Sequence, residues 1–163
     1  MTADPAARSI AITWEYERFD ALTPAQLYAA LQLRQIVFVV EQNCVYLDAD
    51  GLDERAEHLL GWERIRTGRR LVAYARLLAP GIRYAEPSIG RVVTHPDARG
   101  SGAGRALMAE AIRRVENAGW GERIRIAAQM YLEGFYEAFG FRRVTEPYTE
   151  DDIWHVDMVR GDE

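Results

Sequence analysis

Apolar and polar positions change their period several times along the chain, and each change marks an element. Ile10, Ile12, Trp14 and Tyr16 alternate with smaller or polar residues across 9–19, the period of a half-buried strand. Thr23-Pro24-Ala25-Gln26 then opens a helix: Thr23 can cap it, Pro24 fits the first helical position, and Gln26 completes a capping box. That helix carries Leu27, Tyr28, Leu31 and Leu33 and should end within 36–43, where β-branched residues accumulate. Apolar runs at 57–65 and 69–79 flank Thr67-Gly68 and predict a hairpin, and 87–94 predicts a third strand of the middle region. Leu107, Met108, Ala111, Ile112 and Val115 fall on one face of a helix that Gly119 stops. A strand at 123–128, a short helix at 132–140 and a closing pair of strands, 141–148 and 153–159, complete the order β-α-β-β-β-α-β-α-β-β. That order predicts a mixed α/β layer of the α+β kind, not a doubly wound alternation.

The segment His95–Leu107, between a predicted strand and the amphipathic helix, holds Gly100, Gly102 and Gly104 on alternate positions. Strand, glycine turn and helix together make a phosphate site, because main-chain N–H groups converge there and the helix N-terminus carries roughly half a positive charge. Spacing decides which phosphate. A P-loop needs Lys-Ser/Thr after its last glycine, but Gly104 is followed by Arg105-Ala106. A dinucleotide fingerprint needs Gly-x-Gly-x-x-Gly, and these three glycines are evenly spaced.

Arg99-x-x-Gly102-x-Gly104, preceded by Thr94-His95-Pro96, resembles the acyl-CoA motif of the GCN5-related N-acetyltransferase (GNAT) family, written Arg/Gln-x-x-Gly-x-Gly/Ala. The stretches 33–54 and 90–100 are similar to the ElaA-type branch of that family, and the resemblance runs from about Trp14 to Met158. It implies a mixed, mostly antiparallel central sheet flanked by helices. It also implies that backbone amides across Arg99, Gly100, Ser101, Gly102, Ala103 and Gly104 hold the CoA pyrophosphate, and that Val92, Val93 and Thr94 pair their main chain with the pantetheine arm. The oxyanion of the reaction would be met by an amide near Val92 or Val93. The segment 135–141, Phe-Tyr-Glu-Ala-Phe-Gly-Phe, resembles the family's Leu-Tyr-Glu-Lys-Leu-Gly-Phe, which puts Tyr136 at the general-acid position. A phenol of pKa about 10 stays protonated at neutral pH and can donate as charge develops on a departing thiolate. Gln129 stands where the family often has an Asn that contacts the cofactor.

The activity implied is transfer of an acetyl group from acetyl-CoA to a primary amine by direct attack, with a small-molecule or peptide acceptor and no metal. An acyl-CoA-binding regulatory module without transfer activity, and an acyl-homoserine-lactone-synthase-like acyltransferase, are the alternatives. The base stays unassigned: Gly90-Arg91-Val92 offers no carboxylate, which leaves Glu41, His155, Asp157 or a water. His58 begins a strand and could equally cap or pack. The acidic run Asp48, Asp50, Asp53 and Glu54 fails the spacing of a calcium loop. It reads either as a solvated loop or as carboxylates ringing the acceptor site to attract a cationic amine.

Composition narrows the setting. A chain of 163 residues suits one domain, expected over 9–163 with a flexible tail at 1–8. Net charge −5 with scattered basic residues argues against nucleic acid, and the absence of a long apolar run argues against a membrane span. All twenty basic residues are arginines. Cys44, the single cysteine, rules out an intrachain disulfide and reads as structural. A cytoplasmic protein is expected, and the oligomeric state, monomer or homodimer, stays open.

Overall fold

The computed structural model describes residues 8–162, so the tail expected at 1–8 lies, but for Arg8, outside the described residues. Strand β1 (Ile12–Arg18) precedes helix α1 (Pro24–Arg34), whose N-terminus is capped as the sequence predicts. The Gln26 amide donates to Thr23 Oγ1 at 3.2 Å, and the Thr23 amide donates to Gln26 Oε1 at 2.8 Å. The helix does not stop where the β-branched residues begin. It widens into a π-helical stretch, Gln35–Glu41, which carries the chain to the rim of the site.

Strands β2 (Glu57–Ile65) and β3 (Gly68–Leu78) form the expected hairpin, turning at Gly68 with φ +136°. Strand β4 (Ser88–Thr94), helix α2 (Ala103–Asn117), strand β5 (Ile124–Gln129) and the short helix α3 (Glu133–Glu137) follow. The closing pair differs from expectation. The run 141–148 divides into β6 (Phe141–Arg143) and β7 (Tyr148–Glu150), both antiparallel to β8 (Ile153–Arg160). Pro147 lies between them and has no N–H to offer a ladder. There the Asp157 amide turns instead to the Thr145 hydroxyl at 2.9 Å.

The eight strands make one sheet in the order β1-β2-β3-β4-β5-β8-β6, with β7 also on β8. Every pairing is antiparallel except β4 with β5. The predicted face of α2 (Leu107, Met108, Ala111, Ile112, Val115) is buried with Leu59, Leu77, Ile89 and Ile126. A second apolar cluster, including Ala30 and Leu33 of α1, Leu60, Trp62, Tyr74 and Val93, packs separately. Burial of this kind contributes about 25 cal/mol per Å² of apolar surface, so the two helices fix the sheet that carries the site.

Candidate active site

Strands β4 and β5 share one register pair, Ser88 opposite Arg125, and are not paired beyond it. A cavity of about 740 Å³ lies along this gap. Val92, Val93 and Thr94 line it from β4 and Gln129 from β5, with Tyr136 of α3 and His155 of β8 in the same wall. Arg99, Gly100, Gly102, Ala103 and Gly104 line its other end. Of the cofactor residues expected from sequence, Ser101 alone stays out of the lining, because its hydroxyl turns back on the Ala98 carbonyl at 2.5 Å.

Alternation in the glycine turn has a physical meaning. The amides of Arg99, Ser101 and Ala103 are already engaged, by Pro96 O at 3.3 Å, Ala98 O at 3.4 Å and Ser101 Oγ at 3.3 Å. The amides of Gly100, Gly102, Gly104 and Arg105 have no acceptor among the described residues. Gly100 and Gly102 take φ +75° and +86°, conformations that favour glycine, and a Cβ on either would meet nothing within 4 Å. Gly102 is also the N-cap of α2 and provides no side-chain cap. Free amides, open space and an uncapped helix N-terminus fit a pyrophosphate.

Strand β4 is irregular where it borders the cavity. Tyr74 pairs with Val93 and Arg76 with Gly90, so Arg91 and Val92 together face the single residue Ala75. This is a β-bulge, and its first residue, Arg91, takes φ +50°. Left-handed backbone costs an L residue roughly 1–2 kcal/mol. Neighbouring Gly90 does not adopt it, and a Cβ there would meet nothing within 4 Å.

Tyr136 is 6 % exposed, and its hydroxyl has no hydrogen-bond partner among the described residues. Burial pushes its pKa above the ordinary phenol value, which keeps it a donor. Its ring packs edge-on against Phe135 and Phe141. The candidate bases separate by their partners. Glu41 is gripped by Arg99 through two hydrogen bonds of 2.6 and 2.9 Å, and Arg99 pulls its carboxyl below the usual range. Asp157 accepts from Arg125 at 2.7 Å and from the Tyr148 hydroxyl at 2.5 Å, and is not part of the cavity lining. His155 donates from Nδ1 to the Ile153 carbonyl at 2.8 Å, and its Nε2 has no partner among the described residues. Gln129 exchanges two hydrogen bonds with Gln42, at 3.1 and 3.2 Å.

Residues 54–160 match the acetyltransferase (GNAT) domain model. The chain belongs to the GNAT family. Its relatives include the ElaA protein of Escherichia coli, 41 % identical over 91 % of this chain and 96 % of ElaA. The crystal structure of that ElaA superposes with a TM-score of 0.84, covering 93 % of this chain and 100 % of that one. An acyl-CoA N-acyltransferase from Pseudomonas aeruginosa, 42 % identical, gives 0.85 with the same coverage of both chains. A UPF0039 protein of Synechocystis is 46 % identical over 91 % of this chain and 94 % of its own length.

Within this GNAT domain the acidic loop does not ring an acceptor site as free carboxylates. Asp48 and Asp53 are buried, and the arginines take them up. Arg34, 1 % exposed, donates to Asp48 at 2.7 Å and to Asp53 at 2.7 Å. Arg76 donates to Asp50 at 2.7 and 2.8 Å and to Asp53 at 3.1 Å. Arg91 reaches Asp48 at 2.8 Å and Asp50 at 3.3 Å. Three guanidinium groups need three anions in a low-dielectric setting, and this loop is where they come from. His58 is structural too, bonded to the Tyr74 hydroxyl at 2.7 Å and the Asp53 carbonyl at 2.9 Å. Cys44 donates to the Asp151 carbonyl at 3.2 Å, and burial pushes its thiol pKa up, so it is no nucleophile.

Gln42 and Arg91 are site residues that no sequence motif singles out. Nothing in the sequence points to Gln42 beyond its place beside Glu41. For Arg91 the nearby glycine misleads, because Gly90 is not the residue that takes the left-handed turn.

Proposed function

We propose that this chain transfers an acetyl group from acetyl-CoA to a primary amine, with Tyr136 as the acid and His155 as the proton acceptor. The supporting observation is that an unpartnered phenol and an unpartnered imidazole nitrogen share one cavity with the alternate free amides of the glycine turn. The amides of Gly100, Gly102, Gly104 and Arg105 would hold the pyrophosphate. Bound CoA supplies the activated thioester. His155 Nε2 takes a proton from the incoming ammonium, and the freed nitrogen lone pair attacks the thioester carbonyl. An amide at Val92 or Val93 meets the oxyanion, a donor worth about 3–4 kcal/mol of barrier in other acyl transfers. The C–S bond breaks as its electron pair goes to sulfur, the Tyr136 hydroxyl protonates that sulfur, and the second proton shed by the acylated nitrogen restores the phenol.

Isothermal titration tests the cradle first. Wild type should release heat with acetyl-CoA, and Gly102→Glu should abolish it by placing a like charge among the free amides. A silent wild type, or an undiminished signal from Gly102→Glu, would refute the reading.

A further inference from the structure

The first position of the β4 bulge favours glycine, yet Arg91 occupies it at φ +50°. Something must hold an arginine there, and the acidic loop does. Arg91 Nε donates to Asp48 Oδ1 at 2.8 Å, and Nη2 donates to the Asp48 carbonyl at 3.0 Å and to Asp50 Oδ2 at 3.3 Å. Neither carboxylate is free to follow Arg91 elsewhere. Asp48 is tied to Arg34 at 2.7 Å and to the Tyr46 hydroxyl at 2.9 Å, and Asp50 is tied to Arg76. Arg34 and Arg76 are each 1 % exposed and rooted in α1 and β3.

We propose that the Asp48–Arg91–Asp50 clamp is a positioning device: it locks the β4 backbone in its left-handed bulge and thereby sets the amides of Val92 and Val93 against the reacting carbonyl. The proposal rests on the acyl-transfer reading above and adds to it a role for the acidic loop. In this view the loop acts on the reaction through the backbone of β4, without touching either substrate. Arg91 also lines the cavity, so the rival account is that its guanidinium contacts the acceptor directly.

Three variants separate these accounts. Arg91→Ala removes the clamp and leaves a residue that resists the left-handed region. Arg91→Gly and Arg91→Asn remove the clamp but tolerate that region. Steady-state kinetics with acetyl-CoA, using the amine that releases CoA fastest in a panel, should show Arg91→Ala losing kcat by about 10-fold or more with KM for acetyl-CoA within about 3-fold. Arg91→Gly should return kcat to within about 3-fold of wild type, and Arg91→Asn should lie between. If Arg91→Gly and Arg91→Asn are as slow as Arg91→Ala, or if Arg91→Ala keeps full kcat, the clamp is refuted.

Amide hydrogen exchange across 89–94 on the same proteins, without substrate, gives a second reading independent of turnover. Exchange should rise in Arg91→Ala well above that in Arg91→Gly. Equal exchange in all three variants and wild type would overturn the clamp even if no amine is acetylated. A wild type that transfers nothing while its exchange pattern follows this order would instead refute the acyl-transfer reading and leave the clamp standing.

Discussion

In the proposed transfer, Tyr136 is the residue on which the chemistry turns most directly. Its hydroxyl has no partner among the described residues, so Tyr136→Phe removes a proton donor and little else. Turnover should fall by about 100-fold, the lower range for a positioned general acid. Affinity for acetyl-CoA should stay near wild type by titration, because the cradle amides lie elsewhere. Equal losses of turnover and affinity would make Tyr136 a packing residue. The sequence made this position legible only through the Gly140-Phe141 that follows it. Taken alone, Tyr136 looks like one more aromatic beside Phe135 and Phe139. The glycine turn was legible in outline, but not the division of its amides into engaged and free, which depends on where Pro96, Ala98 and Ser101 place their oxygens.

Among the elements, the acidic loop is where sequence and structure part most. Periodicity cannot show that Asp48, Asp50 and Asp53 face arginines, since Arg34, Arg76 and Arg91 lie on three different elements. Removing one carboxylate leaves a buried charge short of its partner. Asp53→Asn should therefore destabilise the fold by about 3 kcal/mol, read as a lowered urea midpoint. The same cluster sets the acid side of the stability curve. Burial pulls the His58 pKa below its ordinary 6.5, so the neutral ring is the form the fold accepts. Its contribution is complete above about pH 6.5 and is lost as pH falls through the lower folded value. Burial raises the Asp50 and Asp53 carboxyls, but the hydrogen bonds and charges of the surrounding arginines together outweigh it and hold both below the ordinary 3.8. Their contribution is whole above about pH 4 and disappears as pH drops toward the depressed values. Urea midpoints should thus fall in two stages on acidification, and His58→Gln should flatten the first. A single fall confined below pH 4 would show that His58 does not contribute.

At the scale of the molecule, the gap between β4 and β5 is bridged from one place. Glu41 holds Arg99 beyond the end of β4, and Gln42 holds Gln129 at the end of β5. The π-helical segment thus ties the two diverging strands together beside the cavity. Acetyl-CoA seated between them should slow amide exchange in 35–42, while the hairpin turn at 66–68 is unaffected. Unchanged exchange in 35–42 would show that the segment takes no part in binding. Element order and the mixed sheet could be read from changes of period, because each strand and helix buries its own stripe. The widened helix end could not, since β-branched residues at 36–40 suggest termination. The break at Pro147 carries a signal of its own, because a proline inside a run argues against a continuous strand, but the expectation of one strand over 141–148 does not weigh it.

Among the described residues, the buried and cavity-lining cations are all guanidinium groups: Arg34, Arg76, Arg83, Arg91, Arg99 and Arg105. A thioester acylates free amines, and in the proposed reaction an ε-amine along the cavity would lie within reach of the acyl donor. Arginine stays protonated and does not compete as a nucleophile. With no lysine in the chain, the protein offers its own acyl donor no side-chain amine at all. Resistance of its side chains to N-acylation is then a property of the whole chain, and any acyl group found on a protein lysine after the reaction must sit on the acceptor.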